Sequence, residues 1–339
     1  MPIARKRRPT QAAWALPAAL TVLPLLLAGV SLAVGPAHID VAAALRGLFD
    51  AEPPIASIIL AEIRLPRTLL GLMVGATLGL SGAALQGLLR NPLAEPGIMG
   101  VSTTASLGSV IVFYFGFSAQ FALALPLGGI LGALLSVGLL YLLAGRDSSV
   151  LTLVLAGVAV SSFAAALSSL ALNLAPSPYA ALEIVSWLLG SLADRSMEHV
   201  WLTLPLMAVG WLLLLTSGAA LNALSLGEDT AKSLGISLSI ARLQVILGTA
   251  LSVGAAVSVT GGIAFVGLVV PHLLRPLVGH DPRRLLPVSA LGGAALLVGA
   301  DIVVRVAPGP IELKLGVVTA LLGAPFFLHL IYRTRRGAL

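Results

Sequence analysis

The residues from Gly227 to Ser233 come nearest to chemistry in this chain. A lysine and a serine that follow a glycine at this distance resemble the phosphate-cradling loop G-x-x-x-x-G-K-[ST]. The second glycine, which would stand before the lysine and let backbone N–H groups wrap a phosphate, is missing, and no strand leads in. Nucleotide binding is rejected at this loop. Other chemistries fail on residue type. Cysteine is absent, so no disulfide, thiolate metal site or iron–sulfur cluster can form. His38, His199, His272, His280 and His329 are scattered, without zinc-type spacing. No catalytic triad or paired-carboxylate signature stands out. The sequence predicts a chain that is not an enzyme and holds no metal or cofactor of its own.

The elements that carry these residues are dictated by composition. The chain of 339 residues is 58% hydrophobic and 10% charged, where a soluble domain carries about 25% charged residues. Pro96 to Gly145 holds no Asp, Glu, Lys or Arg. A bilayer core is crossed by about 20 apolar residues, so the chain reads as an all-α polytopic membrane protein. Ten spans are expected, near 14–34, 65–86, 98–116, 120–144, 149–170, 200–218, 241–260, 264–279, 285–305 and 315–332. A shorter apolar piece near 180–191 is too short to cross. No separate soluble domain is evident, so residues 1–339 form one transmembrane unit with a polar loop at about 219–240.

Charge sets the expected orientation. The N-terminal run Arg5-Lys6-Arg7-Arg8 precedes an apolar stretch too long for a signal peptide, and reads as an uncleaved first span. With that end inside, fourteen of the 20 basic residues fall on the cytoplasmic side and six outside. The positive-inside bias therefore puts both termini in the cytoplasm. It also accounts for the net charge of +6 without nucleic acid.

Three sets of residues stand out on this frame. Gly71, Gly75 and Gly79 fall four apart on one face of the second span, with Gly82 extending it; small residues let membrane helices approach closely. Ser161, Ser162 and Ser168 on the fifth span either line a polar path or bond back to their own helix. Arg64, Arg67 and Arg305 gather at the outer face, either snorkelling to the interface or meeting carboxylates of a soluble partner. No Asp, Glu or Lys lies mid-span except Asp301 near the outer end of the ninth, which argues against ion-coupled transport. A secondary transporter remains the alternative from another class.

The loop Leu226-Gly227-Glu228-Asp229-Thr230-Ala231-Lys232-Ser233-Leu234-Gly235 reads as a short cytoplasmic helix. Glu228 and Asp229 suit its positive end, Lys232 lies four residues after Glu228, and Gly235 is placed to end it left-handed. Leu226, Leu234 and Ile236 would then offer apolar surface to a docking partner.

Motifs in order along residues 14–332 resemble the FecCD-type permeases, membrane subunits of ABC importers for ferric siderophores, haem and vitamin B12. They are RLPRT at Arg64–Thr68, RNPLAEPGIMGVS at Arg90–Ser102, LGEDTAKSLGI at Leu226–Ile236, GGIAFVGLVVPHLLR at Gly261–Arg275, GADIVVR at Gly299–Arg305 and GVVTALLGAPFFLHLI at Gly316–Ile331. The resemblance implies a type II ABC importer permease with ten helices per subunit. It implies a homodimer with the pathway at its interface, two cytoplasmic ATPase subunits that hold ATP and Mg, and a periplasmic binding protein. It places the chain in a bacterial inner membrane. By similarity, residues 226–236 form the region that sits in a groove of the ATPase. Arg64, Arg67 and Arg305 match cations offered to glutamates of the binding protein. Asn91, Leu93, Ser148 and Ser149 match the cytoplasmic gate region. One departure is Lys314, where the family often has proline. The stretch Asn173 to Val200 resembles haem and ferric-chelate members, so an iron chelate is the expected cargo, haem ahead of siderophore, with vitamin B12 as the alternative.

Overall fold

In a computed structural model, residues 12–50, 52–121, 123–145, 149–307 and 312–337 are described. Their helices follow in order as α1 (Ala12–Ala33), α2 (Val41–Arg46), α3 (Ile55–Ile58), α4 (Leu65–Leu88) and α5 (Val101–Tyr114). Next come α6 (Ala124–Ala144), α7 (Val150–Asn173), α8 (Pro178–Leu188), α9 (Met197–Thr216) and α10 (Gly218–Leu224). The last are α11 (Glu228–Ser233), α12 (Leu238–Thr260), α13 (Val266–Leu274), α14 (Pro282–Val306) and α15 (Leu315–Gly337). Among the described residues no strand forms. The basic run Arg5–Arg8 lies outside them.

Six helical stretches are long and apolar enough to cross a bilayer: Ile55–Leu88, Ala124–Ala144, Val150–Asn173, Met197–Thr216, Leu238–Thr260 and Pro282–Val306. Three shorter apolar helices, Ala18–Ala33, Val101–Tyr114 and Leu315–Leu330, match further expected spans. The expected span at 264–279 is different. Its helix, α13, has nine residues, about 14 Å of rise against a core of about 30 Å. The preceding residues Gly261 to Ala264 are unwound. Non-helical backbone is tolerated at membrane depth only where protein buries it or a cavity takes it up. Here the Ser191 N–H donates to Thr260 O at 2.8 Å just before the unwound stretch, and the stretch lines a cavity. The piece expected near 180–191 is the eleven-residue α8.

The core is a stack of α4, α12 and α14. The apolar windows of Ile55–Leu88 and Leu238–Thr260 are 78% buried, whereas those of α6, α7 and α9 are 28% buried. Glycine explains how α4 and α14 pack. A Cβ on Gly75 would strike the backbone of Gly293 and Ala294, and one on Gly79 would strike Ser289 O. Two helix backbones therefore touch, which is how membrane helices gain contact without a hydrophobic drive between them. Gly82, expected to extend this face, instead packs against the backbone of Gly267 in α13. The glycine row thus serves two neighbours.

Candidate functional site

Three places along the bundle bear on the residues singled out above. The first is a cavity of about 470 Å³ beside the unwound Gly261–Ala264 stretch. Ser102, Thr103 and Ser106 of α5 face it, as do Ser168 and Ser169 of α7. Glu95 and Phe265 also line it. Of the serines expected to line a path, Ser168 lies on the wall of this cavity, and its hydroxyl donates to Ala164 O at 2.9 Å. Ser161 is drawn off to donate to Gly97 O at 3.0 Å, tying α7 to the loop before α5. Ser162 is exposed and lies outside the cavity lining.

Glu95 went unnoticed in the sequence because it sits in a proline-bracketed loop, not in a span. In the structure it is the only ionisable residue on the cavity wall among the described residues. Burial raises its pKa above the ordinary carboxylate range, and the Phe265 N–H, donating to it, pulls weakly the other way. Phe265 itself has φ +68, a left-handed conformation that is costly without a glycine. Asn91 and Leu93 stand in the same loop, where the Leu93 N–H donates to Asn91 Oδ1 at 2.9 Å. Ser149 caps α7, accepting the Thr152 N–H at 3.1 Å. Ser148 lies outside the described residues.

The second place is the arginine end of α4 and α14. Arg64 is 3% exposed and Arg67 8%. Arg64 Nη1 donates to Leu32 O at 2.8 Å and Ala33 O at 2.7 Å, and Arg305 Nη1 to Ser31 O at 2.8 Å and Val34 O at 2.9 Å. These carbonyls end α1, where helices leave acceptors without partners and carry partial negative charge. Arg64 and Arg305 therefore cap α1. Arg67 instead grips Asp301, through Nε at 3.0 Å and Nη2 at 2.8 Å, and also meets Glu312. Asp301 binds Arg305 Nη2 at 3.1 Å as well. The structure brings the three expected arginines together, but as buried, internally paired groups.

The third place is the loop of α10 and α11, at the opposite end of α4, where Gly87 packs on Leu221. Gly235 (φ +78) ends α11 as expected, with its N–H on Lys232 O at 2.9 Å and the Ile236 N–H on Ala231 O at 3.0 Å. Leu226 and Leu234 are 65% and 62% exposed. Two expectations are corrected. Ile236 is half-buried against the core and offers little apolar surface. Glu228 pairs not with Lys232 but with Arg242 of α12 at 3.1 Å, because Arg242 is nearly buried and has no other carboxylate within ion-pair distance among the described residues.

The described residues thus form a multi-span helical bundle with an unwound core segment, a polar cavity and an apolar-tipped loop. The sequence matches the FecCD transport family over residues 22–333, and the chain belongs to that family. It is 40% identical over 325 residues to the ABC transporter permease protein YvrB of Bacillus subtilis (strain 168), covering 92% of this chain and 91% of that one. It is 42% identical over 310 residues to the vitamin B12 import system permease protein BtuC of Vibrio cholerae, covering 91% and 93%. An inward-facing metal-chelate type ABC transporter superposes with TM-score 0.84 at 34% identity, over 94% of this chain and 99% of that chain. PsaBC of Streptococcus pneumoniae shares the fold at TM-score 0.55 and 19% identity, over 85% and 94%. The chain is thus a permease subunit of an ABC importer and not itself an enzyme.

Proposed function

We propose that this permease moves a whole metal chelate inward across a bacterial inner membrane, as a homodimer powered by two ATPase subunits and supplied by a soluble binding protein. The observation that carries the cargo class is the cavity. Its five hydroxyls and apolar walls suit a ligand that is part polar and part apolar, and no group of three His, Cys, Asp or Glu side chains among the described residues could strip a metal from it. An iron chelate, haem ahead of siderophore, is the first reading, from the Asn173–Val200 stretch. Vitamin B12 is the second, favoured by the BtuC relatives.

In this reading Arg64, Arg67 and Arg305 lie at the periplasmic face and meet acidic groups of the binding protein. Leu226 to Gly235 sit on the ATPase, and Asn91, Leu93, Ser148 and Ser149 form the cytoplasmic gate. Both termini are cytoplasmic, in keeping with the charge bias. ATP and Mg belong to the partner ATPase. The test is ATPase activity of the reconstituted complex with haem, a ferric siderophore and cobalamin in parallel. Stimulation by cobalamin alone would replace the first reading with the second. Uptake by this chain alone under an ion gradient would remove both.

A further inference from the structure

Arg67 holds two carboxylates of very different exposure. Asp301 is 2% exposed and is shared with Arg305. The side chain of Glu312 is 38% exposed and comes from the segment that leads into α15. Both reach the same Nη2 atom of Arg67, while Nη1 donates to no group among the described residues. Three guanidinium groups and two carboxylates leave the cluster with one uncompensated positive charge.

We propose that Glu312 is an exchangeable internal occupant of Arg67, displaced by a carboxylate of the binding protein when that protein docks. This rests on the docking reading above. Asp301 cannot play the part, because its loss would strand two buried cations. Glu312 can leave at small cost, since its carboxylate returns to water and the incoming one restores the charge-assisted bond. The exchange also has somewhere to act. Gly316 packs α15 against Leu189 O and Gly262 O, and Gly323 packs it against Phe265. A segment freed at Glu312 therefore bears directly on the unwound stretch that lines the cavity.

The test uses the full permease–ATPase complex in nanodiscs, with the unloaded binding protein that stimulates its ATPase as the probe. Because the permease has no cysteine, Leu313→Cys, at an exposed position beside Glu312, gives its only spin-label site. Label mobility at 313 should rise on docking in the otherwise unaltered chain. Glu312→Gln should be mobile beforehand and should dock about three- to tenfold more tightly. If Glu312→Gln docks no more tightly while Arg67→Gln weakens docking, the exchange is wrong and the docking reading survives. If Arg67→Gln leaves docking unchanged, the docking reading fails and takes the exchange with it. Should Arg67→Gln not fold, Arg67→Lys keeps a cation beside the buried Asp301 but loses the fork that also reaches Glu312, and serves in its place.

Discussion

Glu95 is the residue whose environment departs furthest from what its place in the chain suggests. Its folded-state pKa is raised, so the folded protein binds the proton more tightly than the unfolded chain. The stability tied to that proton is present in full below the ordinary carboxylate pKa of about 4.3 and is lost as pH rises through the raised value. Glu95→Gln keeps an acceptor for Phe265 and drops the charge. It should raise the melting temperature in detergent at neutral pH, and that gain should vanish in acid; a gain independent of pH would refute the burial argument. A second prediction concerns Glu228 and Arg242. Glu228→Arg or Arg242→Glu alone should lower transport per ATP hydrolysed, and the double exchange should restore it, because the pair fixes α11 to α12. Lack of rescue would mean that Glu228 meets the ATPase directly. These pairings were not legible in the sequence. The motif around Glu95 was visible, but Phe265 lies far along the chain, and only the unwound stretch brings them together. Arg64, Arg67 and Arg305 were legible as a cluster, yet nothing in their spacing shows that α1 presents its bare carbonyls to two of them.

Among the elements, α4 was the most readable. Glycines four apart define a close-packing face whatever they pack against, and the structure supplies α14 for Gly75 and Gly79 and α13 for Gly82. Gly79→Ala should cost about 1–3 kcal/mol, as overpacking does, because a backbone carbonyl cannot move aside as a side chain can. Gly299→Ala is the control, since the nearest atom to an added Cβ there is Leu27 Cδ1 at 3.9 Å. Equal thermal stability of the two variants in detergent would contradict the backbone contact. α13 was the least readable. Its apolar run gave no sign that only Val266–Leu274 of the expected span 264–279 is α-helical, because hydropathy reports burial and not hydrogen bonding. The loop of α11 was read correctly at its left-handed end and in its exposed leucines. Replacing Leu226 and Leu234 with serine should leave the fold intact and abolish co-purification with the ATPase subunit.

At the scale of the whole molecule, the class of protein followed from charge scarcity alone, since no water-soluble fold needs such runs. Which helices form the centre did not follow, because α6 and α7 are as apolar as any and yet lie at the periphery. Burial in this fold is set by small side chains and not by hydropathy. The contact between α4 and α14 has a consequence for biosynthesis. Gly79 and Ser289, which pack together, are made roughly 210 residues apart, a delay of about 10–40 s at ribosomal rates. During that interval the most deeply packed face of the protein has no partner of its own and must be shielded by lipid or by the insertion machinery. Chains truncated before Pro282 should therefore be cleared by membrane proteases, although nearly every span has already been made.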